Sequence, residues 1–384
     1  MARQFRSDDT SSWSYRFGTG AQGSKTWSST TTLGSSDNYN VGSFTGTSGA
    51  TTGPTGIANA TYNLPCIIHQ TQGTGATAAV NWEFNFLISV SGGTATLAFP
   101  LTLTFNSGAQ IVTSGFYSSV VVNAVVSSPA WGGSSGGIIP IFATNSVTGS
   151  GQFTTGSLGF RGGVNWNSIR EGQQGEGTPG IGSNTFPQQP ANGNGGGGGT
   201  TNAGQDSSAG GGAGGGNASS GTSGTAGSSG TNQGTGGNSV GSADLTSMAF
   251  GGGGGQGGGE VQSPPGGSNG GGIIVVVART INLPNINATS ASGGNSIGGT
   301  AGGGGAGAGG SILLKGQNIT LTNIAATAGT GGAGNNGAGN GGAGSVGRIH
   351  ADYLITPTGS SNPGADTRFD GTLADTGSAL FNFL

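Results

Sequence analysis

Apolar and polar residues form short runs along the first part of the chain. Thr94–Phe105 (TATLAFPLTLTF) alternates with a period of two, which predicts a half-buried strand, and Phe116–Val126 (FYSSVVVNAVV) is a valine-rich run typical of a buried strand. Glycine- and serine-containing breaks bound these runs. The pattern predicts an all-β fold with almost no α-helix, in which residues 26–165 form a β-rich domain, either a β-sandwich or a β-solenoid.

Two apolar runs later in the chain align without a gap. IIVVVARTINLPNINATSASGG begins at Ile273 and SILLKGQNITLTNIAATAGTGG at Ser311, an offset of 38 residues. A period of this size signals stacked supersecondary units, each a strand pair followed by a glycine tract. A third, truncated copy starts at Gly347, as a capping repeat does. Residues 271–384 are therefore predicted to be glycine-rich β repeats ending in an apolar tail, Ser378–Leu384, that docks on its own domain or on a neighbour.

Glycine dominates the chain between Gly193 and Gly347. Such low-complexity segments are usually disordered, because they bury too little apolar surface to offset their ordering entropy. Here glycine recurs at every third position in three places: Gly221, Gly224, Gly227 and Gly230; Gly331, Gly334 and Gly337; Gly341, Gly344 and Gly347. Three residues per turn is the polyproline II repeat, and glycine on one edge lets such helices approach until their backbones hydrogen bond. The spacing favours short polyglycine II helices packed side by side.

The composition excludes several classes of protein. The chain has 384 residues, 90 of them glycine, a net charge of −3 and only 6% charged residues, so it offers no basic patch for nucleic acid or an anionic membrane. A single cysteine, Cys66, excludes an internal disulfide framework and is expected to be a buried, inert thiol. Apolar stretches are too short to span a membrane, so no membrane insertion is expected.

The remaining segments complete the predicted organisation. Residues 1–25 combine three arginines with aromatic residues and read as an anchoring or assembly segment, with a frayed terminus as the alternative. Residues 166–270 read as a glycine-rich region with loops. The start of the chain lacks an apolar signal core while the composition resembles that of extracellular proteins. We therefore expect a location in a virion, released by lysis, or on an extracellular surface.

A series of motifs in this order is similar to a glycine-rich family found among bacterial surface proteins and phage structural proteins. The motifs are IIHQTQGTG (67–75), NWEFN (81–85), PAWGGSSGGI (129–138), GFRGG (159–163) and GEGTPG (175–180). The β-rich front, GFRGG hinge and GGxGAGGSI-type repeats cover nearly the whole chain. The tail also resembles the tip adhesins of T-even-like phages, which implies polyglycine II sandwiches that present variable loops to a host receptor.

Two motifs resemble enzyme signatures but lack their context. Gly132–Gly136 satisfies G-x-S-x-G, and Asp206 or Asp244 and then His350 follow in α/β-hydrolase order, yet no strand-turn-helix pattern surrounds the serine and glycine abundance makes chance matches expected. Residues 18–25 resemble a phosphate-binding loop, but the β-prone sequence after Lys25 supplies no helix N-terminus. No catalytic or cofactor-binding residue is predicted.

Metal ligands are equally sparse. His69 and His350 lack partners at ligand spacing, so each is expected to be structural. The segment containing Asp366, Asp370 and Asp375 has the oxygen ligands that calcium prefers, although a solvated loop is the favoured interpretation. Glu171 and Glu176 are expected to bond open backbone amides, together with Arg161 and Arg170. The sequence therefore predicts no metal site.

Two functions remain open. The first is a non-enzymatic virion-associated structural and adhesion protein, a phage tail fibre or tip, whose partners are copies of itself, other virion proteins and a host-surface glycan or outer-surface protein. The alternative is a self-assembling subunit of a prokaryotic extracellular filament or sheath. Because charge is scarce, contacts are expected from amide, hydroxyl and aromatic groups on loops, and the candidate loops are Pro187–Gly199, Asp244–Gly251 and Val261–Gly267.

Overall fold

The chain is almost entirely β in the computed structural model, which describes residues 22–73, 80–164, 171–183, 189–201, 209–228, 230, 232–259 and 263–374. The content is 39% strand and 2% helix, the latter as 3-10 turns at Ser35–Asp37 and Gly371–Ala374. None of the described helices is long and apolar enough to cross a membrane. The predicted all-β class is confirmed.

Six of the described strands, numbered in chain order, form an antiparallel sheet. In spatial order they are β3 (Val41–Gly46), β8 (Phe105–Thr113), β5 (Ala60–Gln70), β6 (Trp82–Ser91), β7 (Thr94–Leu97) and β4 (Thr52–Pro54). On one face of this sheet, Ile67 and Phe84 belong to the larger apolar core of the protein. On the other face, Phe44 and Phe105 belong to a separate apolar cluster. Cys66 is buried in β5 as a free thiol, as expected.

The strand predicted over Thr94–Phe105 is wrong in length, because β7 ends at Leu97 and β8 begins only at Phe105. Pro100 has no N–H to give to a ladder, and the chain leaves the sheet just before it. Asn85 and Glu83 then hold the connection: Asn85 exchanges hydrogen bonds with the Phe99 backbone, and Oε2 of Glu83 accepts three hydrogen bonds from Thr102 and Leu103. Alternation alone does not reveal this interruption.

The other described strands form one parallel sheet. They are β1 (Lys25–Trp27), β2 (Thr31–Thr32), β9 (Phe116–Val122), β10 (Val125–Ser127), β11 (Ile138–Thr148), β12 (Gln152–Thr154), β13 (Ile273–Val277), β14 (Thr280–Asn282), β15 (Asn285–Asn287), β16 (Ser311–Ala325), β17 (Arg348–Asn362) and β18 (Asp366–Phe369). A first ladder runs β1-β9-β11-β13-β16, and a second runs β2-β10-β12-β15-β16. Both ladders meet on β16, whose outer neighbour is β17.

The 38-residue offset seen in the sequence is also the pairing register. Ile273 lies beside Ser311 and Val277 beside Lys315, and the hydroxyls of Ser292 and Thr330, again 38 residues apart, are 3.0 Å from each other. All five residues of β13 are buried, as is typical of parallel strands covered on both faces. Equivalent residues of the two apolar runs therefore stack directly.

One apolar core joins the two sheets. Phe84 of the antiparallel sheet packs edge-on against Phe142 of β11, with ring centroids 5.2 Å apart. Trp131 is buried, with its ring centroid 5.6 Å from that of Phe250 and 6.2 Å from that of Phe160. Aromatic contacts of this kind add to the burial of apolar area.

Beyond this core the glycine tracts pack against one another. Each described tract lies outside the strands, yet its backbone N–H groups bond to the carbonyls of other tracts. The tract 209–217 illustrates the pattern, because successive N–H groups address three different neighbours in turn. Gly210, Ala213 and Gly216 donate to residues 194–200; Gly211 and Gly214 donate to residues 222–225; Gly212 and Gly215 donate to residues 303–306.

The position of a tract in this array matches its composition. Tracts 209–217, 249–259 and 301–310 are buried throughout, and in them glycine and alanine fill nearly every position. The tract 219–228 lies at the surface, where Gly224 and Gly227 are buried while Thr222 and Thr225 are exposed. A surrounded tract needs small residues on all sides, whereas a surface tract needs glycine only where it faces inward.

The array has two distinct ends. Tracts 263–272, 301–310 and 338–347 run directly into β13, β16 and β17, so this end, which we call the proximal end, adjoins the parallel sheet. Hydrogen bonds among Gly210, Gly258 and Gly302 mark the opposite, distal end. The segments 298–300 and 335–337 connect tracts there. Other described tracts end there too, at Thr201, Ala209, Ser228, Asn232, Gly259 and Ser263. The chain thus crosses the array repeatedly and turns far from the sheet.

Charged residues gather at the β18 edge of the parallel sheet. Buried Lys315 contacts Asp352 at 3.2 Å and Asp370 at 3.4 Å, and Arg368 reaches Asp352 at 2.8 Å. The two ring nitrogens of His350 lie 2.8 Å from Asp366 and 3.3 Å from Asp352. Burial alone would raise the pKa of Asp352, but hydrogen bonds from His350 and the charges of Lys315 and Arg368 hold it well below its usual range. These contacts fasten β18 to β17.

Close packing of the tracts makes a direct prediction about Gly305 and Gly334. A Cβ at Gly305 would overlap the backbone of Ala213, and one at Gly334 would overlap the backbone of residues 338–339. We expect Gly305→Val and Gly334→Val to lower the melting temperature measured by calorimetry, since each separates tracts joined by backbone hydrogen bonds worth about 0.5–1.5 kcal/mol apiece. Gly305→Val should have the larger effect, because its tract is buried. Gly364→Val, where a Cβ meets nothing within 4 Å, is the matched control; equal melting temperatures for all three variants would contradict the packing.

Candidate functional site

The structure separates the three candidate loops. Residues 189–199 of the first belong largely to the array, because 194–199 are buried tract residues. Residues 263–267 of the third lie at the distal end, where Gly257 donates to Pro265. Residues 187–188 and 261–262 lie outside the described residues. Of the three candidate loops, only the third has most of its described residues at least partly exposed to solvent.

The second candidate loop, Asp244–Gly251, is not a contact loop. Leu245, Met248 and Phe250 are each 1% exposed or less, so its apolar residues belong to the core. His69 of β5 holds this loop, with Nε2 3.1 Å from the Met248 carbonyl oxygen and Nδ1 2.8 Å from the Thr71 hydroxyl. The imidazole also stacks on Phe250 at 6.1 Å. His69 is thus a structural histidine, as predicted, and two of its partners, Met248 and Phe250, are far away in sequence.

Asp244 and His350, the described acid and base of the serine-hydrolase pattern, each form hydrogen bonds with other residues. Ser134 sits in a bend followed by β11 rather than by a helix. Asp244 bonds Ser242 and Thr246, whereas His350 bonds Asp352 and Asp366. Asp206 lies outside the described residues. Lys25, in the phosphate-loop-like segment, starts β1 and pairs with Asp37 at 2.7 Å.

The acidic segment near the end of the chain differs from the solvated loop that we expected. Asp366 lies in β18, and both Asp366 and Asp370 contact basic side chains of the neighbouring strands. Asp375 lies outside the described residues. No group of three or more potential metal-ligating side chains was found in the described parts of the chain.

A hollow of about 370 Å³ lies beside the tract 161–164, where that tract meets residues 171–182. Val164 and Ile181, which are 50% and 68% exposed, line it together with Arg161 and the side chains of Gln173, Gln174 and Asn269. Val164 also lies against Gly266 of the third candidate loop. The hollow therefore combines exposed aliphatic groups with polar groups and a single described arginine.

An ion pair between Arg161 and the buried carboxylate of Glu176 lines the hollow. Glu176, 3% exposed, receives Arg161 in a two-pronged contact, with Nε to Oε2 at 2.8 Å and Nη2 to Oε1 at 3.0 Å. The Arg161 backbone N–H and the Gln72 side chain also donate to this carboxylate. Burial raises the pKa of Glu176, but these donors, Arg161 above all, bring it below its usual value. The expected bonding of Glu176 to a backbone amide is confirmed for the N–H of Arg161. Arg170 lies outside the described residues.

Three amide side chains of the hollow are held by hydrogen bonds to the backbone. Gln173 Oε1 accepts from the Val164 N–H, Gln174 Oε1 from the Ser183 N–H, and Asn269 Oδ1 from the Gly162 N–H. Their NH₂ groups each donate to one backbone carbonyl. The walls of the hollow are thus held in place before any ligand arrives, and sequence spacing gave no signal that these residues meet.

The buried imidazole of His69 yields a prediction about pH. Burial lowers the pKa of His69 from 6.5 to about 4, so the folded protein keeps it neutral while the unfolded chain takes up a proton below pH 6.5. The free energy of unfolding should therefore fall as the pH drops from 6.5 to 4, by up to about 3 kcal/mol from this group. We expect His69→Gln, compared with the parent by urea unfolding at pH 7 and pH 4.5, to lose less stability over that interval. An equal loss in both proteins would contradict a neutral, buried His69.

No protein-family model, curated protein or solved structure matches this chain. The family resemblance drawn from the sequence motifs therefore stays a prediction, and function has to be argued from the geometry alone.

Proposed function

We propose that this chain is a non-enzymatic structural and adhesion protein of a virion, a tail fibre or tip that binds a host surface with its distal end. The observation that carries the proposal is the common placement of the tract connections. The connections 298–300 and 335–337 lie at the end remote from the sheet, and so do the described tract ends Thr201, Ala209, Ser228, Asn232, Gly259 and Ser263. Connections grouped in this way can vary in sequence while the array that carries them stays unchanged.

The scaffold itself supports this role. We take the tracts to be polyglycine II helices, because N–H groups three residues apart address the same neighbour and the intervening ones address two others. We take the parallel ladders to be rungs of a β-solenoid, in which short strands and turns repeat. An array tied by backbone hydrogen bonds in three directions would hold the ends of its tracts rigidly, and rigid placement lowers the entropy lost on binding.

The surface chemistry favours a glycan or the backbone edge of an outer-surface protein as partner. The hollow offers amide and aliphatic groups with one arginine, and Ile297, at the distal end, is 88% exposed. A cluster of cations is missing from the described distal residues, in keeping with the low charge of the whole chain. Nucleic acid, whose binding depends on many Lys and Arg contacts, is a poor fit.

A self-assembling filament or sheath subunit is the second candidate. The observation in its favour is that β18 covers only residues 350–353 of β17, while Ile355 and Phe369 are 58% and 62% exposed there. Pro357 within β17 and the charges of β18 oppose strand addition at this edge, as they do in natural edge strands. Regular polymers in negative-stain micrographs of the purified protein would support this candidate over the first.

A particle-binding experiment tests the adhesion role. Virions lacking this chain should adsorb to host cells far more weakly than complete virions. Virions that carry Ile297→Asp should also adsorb more weakly, because the change puts a charge on an exposed apolar residue of the distal end. Virions that carry Ile355→Asp, a change of another exposed residue at the β17 edge, should adsorb normally. Unchanged adsorption of virions without the chain would contradict the proposal.

A further inference from the structure

The hollow at Arg161 presents more hydrogen-bond donors than acceptors. The acceptor oxygens of Gln173, Gln174 and Asn269 each already take a backbone N–H, and the Glu176 carboxylate accepts four hydrogen bonds. On the donor side, each of the three amide NH₂ groups uses one of its two hydrogens for a backbone carbonyl.

Arg161 adds the strongest of these donors. Its Nε and Nη2 are turned to Glu176, but Nη1 makes no hydrogen bond with any described residue, and its side chain is 40% exposed. Gly133 also lies close to the guanidinium, since a Cβ there would come within 2.9 Å of Nη2. The guanidinium is therefore fixed by Glu176 and Gly133 while one edge remains available.

We infer that this hollow binds the carboxylate of an acidic sugar, a uronic acid residue of a surface polysaccharide. This inference rests on the proposed adhesion function and names its ligand class. The carboxylate accepts from the free edge of Arg161, where planar oxygen pairs fit the planar guanidinium. The ring of the sugar lies between Val164 and Ile181, and its hydroxyls meet the amides of Gln173 and Asn269.

The charge of the site selects a monoanion. Among the described lining residues Glu176 already balances Arg161, so they carry no excess positive charge. They therefore suit a singly charged ligand better than phosphate, whose second charge needs further cations. The volume of about 370 Å³ falls within the range of small-molecule sites and is small enough to favour one sugar residue over a long segment.

Calorimetric titration of the full-length protein tests the inference. The probes are glucuronate and galacturonate, their neutral counterparts glucose and galactose, and inorganic phosphate. We expect at least one uronate to bind at least tenfold more tightly than its neutral counterpart and than phosphate. Arg161→Gln should abolish that preference.

Arg161→Gln leaves the buried Glu176 without its main partner and is therefore expected to destabilise the fold. A substitution of Ile181, at the exposed rim of the hollow, gives a second test that does not remove this ion pair. Ile181→Asp puts a carboxylate at the exposed rim and should weaken uronate binding at least tenfold, whereas Ile181→Asn should retain most of it. Uronates that bind no better than neutral sugars or phosphate, or equal binding by the two Ile181 variants, would overturn the inference. If the uronate tests fail but virions lacking the chain adsorb weakly, the adhesion function stands. If uronates bind but virions lacking the chain adsorb normally, the function alone is overturned.

Discussion

The close approach of glycine backbones is the constraint on which the rest of the structure depends. At position after position in the array, a Cβ would overlap a carbonyl group of the neighbouring tract. Side chains would hold the tracts apart and leave N–H and C=O groups buried without partners, which costs about 1–3 kcal/mol for each group. The array therefore requires glycine, or alanine at a few places, at most of the inward positions.

The sheet and the array support one another. Consecutive parallel strands need long connections, and here glycine tracts serve in place of the usual helices. The strands in turn set the register of the tracts that lead into them, since Gly271 and Gly309 are followed two residues later by the paired Ile273 and Ser311. In the two aligned runs, the paired strands and the tracts that follow them thus share one 38-residue offset.

Much of the fold could be predicted from sequence because it is written in local patterns. The all-β class follows from alternation and turn residues, and the 38-residue offset reappears as the register of β13 and β16.

Other features depend on distant partners. Thr94–Phe105 reads as one strand, yet contacts from Asn85 and Glu83 hold its centre outside the sheet. Asp244–Gly251 reads as a surface loop, yet His69 and Trp131 bury it. Gln72 meets Glu176 across 104 residues, and no spacing in the sequence announces that contact. The proposed domain boundaries remain predictions.

Native-state hydrogen exchange tests the central claim, that the glycine tracts form a hydrogen-bonded array, more directly than any substitution. The amides of Gly210–Gly216, Gly251–Gly258 and Gly302–Gly309 donate to other tracts, so they should exchange as slowly as those of β13, through the same large-scale unfolding. In the surface tract 219–228 the exchange rate should vary from residue to residue. Bonded N–H groups such as those of Gly221 and Gly224 should be protected, and unbonded ones such as that of Ser223 should exchange fast. Exchange of the inner-tract amides at the rate of an unstructured peptide, while β13 stays protected, would contradict the array.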